Sequence, residues 1–170
     1  MKNASKFFVI TVLGLAFSAA TFAQTGATAT ATATATILTP LALTKTVDIS
    51  FGNLAVNTNP GTITLPAAAA PVRTVTGGVT LMPAGTVTAA SFNLTGVTNA
   101  AIAITLPVDG SVSLIGPGAP ILANTFTSNM PATLTGGSLT FYVGTTLSIA
   151  ASQVAGVYTS AAFSVTVNYN

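Results

Sequence analysis

AFSVTVNYN closes the chain, from Ala162 to Asn170. Phe163, Val165, Val167 and Tyr169 fall on one phase of this stretch, and Ser164, Thr166 and Asn168 on the other. A period of two built from β-branched and aromatic residues marks a strand with one buried face. The same period recurs upstream. Phe92 and Leu94 alternate with Asn93 and Thr95, Ile102 lines up with Ile104 and Leu106, and Val47 with Ile49 and Phe51. Turn signals separate the runs, among them Asn59-Pro60-Gly61, Gly77-Gly78, Pro83-Ala84-Gly85, Gly116-Pro117-Gly118 and Gly136-Gly137. Many short strands at this spacing predict an all-β sandwich rather than alternating helices and strands. Asp109-Gly110 suits a tight hairpin, whose two central residues need positive φ, so Leu106 to Leu114 is expected to form one. Leu65 to Val72 (LPAAAAPV) has helix-forming alanines, but prolines on both sides leave one turn at most, and it reads as a loop.

At the opposite end, Lys2 and Lys6 precede an apolar run from Phe7 that closes on Thr21-Phe22-Ala23. That is the layout of a secretory signal, with cleavage expected between Ala23 and Gln24. Gly14, Ser18 and Thr21 interrupt the run, which falls short of the ~20 residues of a membrane span. Residues 1–23 are thus expected to be removed, and the product exported to the periplasm, cell surface or medium. Contact with a membrane is expected only through export or attachment at the outer surface. Beyond the leader the charges are Lys45, Arg73, Asp48 and Asp109, which cancel. Two separated cations cannot make a basic patch, so nucleic acid is not an expected partner.

The whole chain of 170 residues has no His and no Cys. Imidazole bases, thiolate nucleophiles and the common zinc sites are therefore missing, and no metal or other cofactor is expected. Asp109 has a turn role before Gly110, and Asp48 lies on the outward phase, within reach of an exposed pair with Lys45. The chain reads as a non-enzyme. Tyr142, Tyr158 and Tyr169 read as core or edge packing rather than a sugar-stacking surface.

One tract remains. From Ala27 to Thr36, Ala occupies every odd position and Thr every even one, and Ile37, Leu41 and Leu43 continue on the odd phase. A helix would scatter this pattern around its circumference. A flexible linker fits the weak apolarity. An extended strand would place methyls on one face and hydroxyls on the other, reaching roughly 33 Å in ten residues. Five buried alanine methyls contribute only ~4 kcal/mol before any entropy cost. The strand is thus expected only where another sheet edge supplies hydrogen bonds and a groove. Ala27, Ala29, Ala31, Ala33, Ala35 and Ile37 are the candidate donor positions, within an extension over residues 24–39 that precedes a single sandwich domain over 40–170.

Phe141 to Asn170 resembles the ending of an uncharacterised bacterial secreted family, domain of unknown function 4402. The matching features are Val143-Gly144, Gln153, Gly156-Val157-Tyr158 and the closing Val165-Thr166-Val167-Asn168-Tyr169. Ile49 to Val56 (ISFGNLAV) and Ala90 to Pro107 are similar as well. The same ending and the FGNL element resemble, more weakly, spore-coat-U-type pilins of archaic chaperone–usher systems. That resemblance implies an immunoglobulin-like, pilin-like β-sandwich that is incomplete, with an extended N-terminal strand donated to a neighbour. Phe163, Val165, Val167 and Tyr169 would then border the acceptor groove. It implies self or related subunits as partners, with an assembly chaperone, although this chain lacks cysteines and its donor positions are mostly Ala. The expected function is a structural subunit assembling by strand addition. The alternative is a monomeric adhesion or glycan-binding module on a flexible stalk, and a tract folded back into its own domain is a third arrangement.

Overall fold

The computed structural model describes residues 26–170. The expected cleavage point between Ala23 and Gln24 lies outside the described residues. The strands in chain order are β1 (Ala42–Val47), β2 (Ser50–Phe51), β3 (Leu54–Leu65), β4 (Thr74–Leu81) and β5 (Val87–Thr88). They continue as β6 (Ala90–Thr95), β7 (Ala100–Thr105), β8 (Val112–Ile115), β9 (Ile121–Ser128) and β10 (Thr133–Leu134). The last are β11 (Ser138–Ile149), β12 (Thr159–Ser160) and β13 (Thr166–Tyr169). All pairings are antiparallel. The protein is an all-β sandwich.

The twelve-residue β11 organises the larger sheet. On one edge its first half pairs with β6, from Ser138↔Thr95 to Val143↔Ala90, and its second half with β3, from Thr145↔Leu65 to Ile149↔Gly61. On the other edge it pairs with β9, which carries β8 and then β12. The change of partner falls at Gly144, where a Cβ would run into the Leu65 carbonyl and the Pro66 backbone. Only glycine lets β3 leave there. β7 forms a second sheet between β10 and β13, and β2 pairs with β5.

Two apolar clusters fill the interior. Ile63, Leu65, Leu147 and Ile149 centre the first, and Leu94, Ile102, Leu134 and Phe141 the second. Phe92 and Phe141, directly opposite on β6 and β11, stack at 5.4 Å. Ile49 and Phe126 pack against both clusters.

The β3–β4 hairpin is folded over. Nine steps of extended chain from Arg73 to Met82 would span about 30 Å, yet Arg73 Nη2 donates to the Met82 carbonyl at 3.1 Å. The bend falls at Gly77-Gly78, opposite the Val56–Gly61 irregularity in β3, so both halves of the hairpin face the first cluster. The loop expected over Leu65 to Val72 is present, with Leu65 ending β3 and bends following.

Two local expectations are corrected. Leu106 to Leu114 is not a hairpin: β7 pairs with β10 and β13, and β8 with β9 and β12. Pro107 has no N–H to continue a ladder from β7. The turn is instead tied to β9, through Gly110 N–H to the Ala123 carbonyl at 2.9 Å and Thr125 N–H to Asp109 Oδ1 at 2.6 Å. It carries the chain from one sheet to the other. Val47 is also out of phase with Ile49 and Phe51, being 39% exposed, because a bulge after Lys45 shifts the register of β1.

Candidate functional site

Residues 161–165 belong to no strand. The alternation that begins at Phe163 predicts a longer final strand, but the ladder holds only from Thr166↔Thr105 to Tyr169↔Ile102. Pro107 and the crossover turn explain the shortfall, since β7 offers no further partner. The segment Gln153–Val165 forms one rim of an open groove of about 1480 Å³, and Asp48–Val56 contributes to the other. Phe51, Ile121, Leu147 and Ile149 give it an apolar floor, and Ala90 and Phe92 extend that floor toward the second cluster. Lys45 and Asp48 are the only charged residues lining it, and they pair with each other at the exposed rim.

Each rim is held by interactions that can be traced to particular residues. On the first, Tyr158 Oη donates to the Val154 carbonyl at 2.8 Å and accepts from Gly118 N–H at 3.0 Å and Gln153 Nε2 at 2.9 Å. These bonds tie the turn from Gln153 to Tyr158 to itself and to the loop at Gly118. Gly116 makes room for the ring, since a Cβ there would meet Tyr158 Cδ1 at 2.5 Å. β12 then binds the rim to β8, through Thr159↔Ile115 and Ser160↔Leu114. On the second rim, Arg73 donates to the carbonyls of Phe51, Asn53 (3.2 Å) and Met82, closing the folded hairpin against the FGN turn.

Of the four expected acceptor residues, Phe163 and Val165 line the groove, while Val167 and Tyr169 lie beyond it on β13, opposite Ile104 and Ile102. All four are half-buried. Phe163 packs on Phe126 with ring centres 5.6 Å apart. Tyr169 Oη accepts from Val97 N–H at 2.8 Å and donates to the Thr39 carbonyl at 2.7 Å. The tract at 26–36 carries no strand and is exposed, Ala27, Ala29, Ala31, Ala33 and Ala35 included. Ile37, where the compact unit Ile37–Asn170 begins, is 96% exposed. The clasp made by Arg73 is not evident from its charge alone. The available signal was a lone cation at the foot of a strand with no acid near it in sequence.

The fold and groove define an antiparallel sandwich with one side open, floored by apolar side chains and almost free of charge. Residues 41–169 match the family model described as "Domain of unknown function (DUF4402)", and the chain belongs to that family. Comparisons with curated proteins and with solved structures gave no match.

Proposed function

We propose that this protein is an exported, non-enzymatic structural subunit whose open groove takes an extended segment of a neighbour, namely the Thr/Ala tract of a second copy or of a related subunit. The observation that carries this reading is the groove itself: an apolar trough lined by the segment that leads into the final strand, whose outer edge has no ladder partner among the described residues. Strand addition suits such a site, because main-chain hydrogen bonds supply affinity and alternate side chains supply register. The candidate occupant matches it in charge, since residues 24–44 carry none. On this reading the sandwich is of the immunoglobulin-like, pilin-like kind, lacking one strand of its own.

The test uses the chain from Gln24 in size-exclusion chromatography and negative-stain imaging, beside a chain whose tract positions 27–37 are replaced by a Gly/Ser sequence. Filaments or ladders of multimers from the first and monomers from the second support strand addition. Monomers from both, at every concentration, mean that the tract is a stalk and the protein a monomeric surface module.

A further inference from the structure

We propose that residues Ala161–Val165 form a strap that closes on the segment occupying the groove, changing from a crossover into the missing half of the last strand. This rests on the strand-addition reading above. The strap is slung between two tyrosine anchors. Tyr158 holds one end with its three hydrogen bonds, and Tyr169 holds the other through Val97 and Thr39. Between the anchors the chain leaves β8 at Ser160, crosses between sheets, and joins β7 only at Thr166.

The strap's side chains are already patterned for a strand, with Phe163 and Val165 inward and Ser164 exposed. What it lacks is a ladder. β7 cannot supply one past Thr105, because Pro107 and the turn tied to β9 carry that chain away. The remaining source is the groove side, where an incoming strand would align its own N–H and C=O groups. The strap also has room to shift. A cavity of about 110 Å³ is lined by Ala161 and Ala162 together with Ser111, Val112 and Ser113, and the main groove opens beside Val112, Ala161 and Ala162. Phe163 links the movement to the interior, because its ring rests on Phe126, which packs against both clusters.

Closure has a kinetic consequence. An occupant laddered only to β13 would have four residues of partner, whereas one laddered to strap and β13 would have nine, from Ala161 to Tyr169. Lengthening the ladder acts mainly on dissociation.

The test exploits the absence of native cysteine. The β12–β8 ladder ends at Ser160↔Leu114, and its register continued by one residue would set Ala161 opposite Ser113, at the spacing of paired strands that a disulfide can bridge. In a chain carrying Ala161→Cys and Ser113→Cys with the tract replaced, oxidation pins the strap to β8 and reduction frees it. A synthetic peptide covering Gln24 to Thr39 is then added. The reduced form is expected to release the peptide at least ten-fold more slowly than the oxidised form. In the tract-replaced chain with no added cysteine, amides of 161–165 are expected to lose at least ten-fold in exchange rate on peptide binding, while β10 keeps its rate. Peptide binding with unchanged exchange at 161–165, or equal release from pinned and free forms, overturns the strap and leaves strand addition standing. No binding to any form overturns both.

Discussion

Tyr158, just ahead of β12, and Tyr169, on β13, each end in a hydroxyl bonded to backbone remote in sequence, Gly118 for the first and Val97 and Thr39 for the second, and neither role is visible in the alternation that surrounds them. Removing the first hydroxyl isolates its contribution, because Tyr158→Phe keeps the ring against Gly116. The expected loss is about 1–3 kcal/mol, read as a lower urea midpoint at unchanged slope. Gly144→Ala tests a different cause. Its Cβ has no space between β11 and the departing β3 backbone, so the variant should lose about 3 kcal/mol or more, or fail to fold. Wild-type stability in that variant would mean that β3 and β6 do not share one edge of β11. The glycine itself was plain in the sequence. Its reason was not, because the change of partner depends on residues some 80 positions apart.

Elements were legible where one face is buried and the other wet. Phe92 and Leu94 are buried while Asn93 and Thr95 are exposed, in the phase the pattern implies. Pairing was less legible. The Asp-Gly signal marks a real turn, but the turn type leaves open which strands it joins, and Pro107 together with the contacts to β9 decided that. The folded β3–β4 hairpin was hidden as well, since an even run of strand-forming residues gives no sign of a bend. Arg73 closes that bend by spanning three carbonyls, a fork geometry that lysine does not reproduce. Arg73→Lys is therefore expected to cost about 1–2 kcal/mol and to raise exchange at Met82, whose amide donates to the Asn53 carbonyl, and at Asn53, whose amide donates to the Ala84 carbonyl. Unchanged protection there would show that the bend stands without its clasp.

For the whole molecule, the sandwich class followed from strand spacing, whereas the groove could not be read off in advance. Its floor is assembled from β2, β6, β9 and β11, and among the described residues no strand ladders to the segment 161–165 that borders it. The tract presents the reverse case: its alternation is obvious, yet alone it forms no strand. A uniform Ala/Thr repeat can slip by two residues without exposing a different face, and Ile37 is the first bulky residue on the Ala phase. Ile37→Asp is expected to abolish assembly while leaving the thermal midpoint of the monomer within a few degrees. Assembly at the wild-type level in that variant would remove Ile37 as the determinant of register. The tie from Tyr169 to Thr39 matters most when the molecule is pulled. Tension entering ahead of Thr39 runs on along the backbone into β1, and the phenol shares part of it sideways with the final strand. In a filament under shear, that hydroxyl would be a side branch that spreads each pull onto the last strand, beside the covalent path into β1.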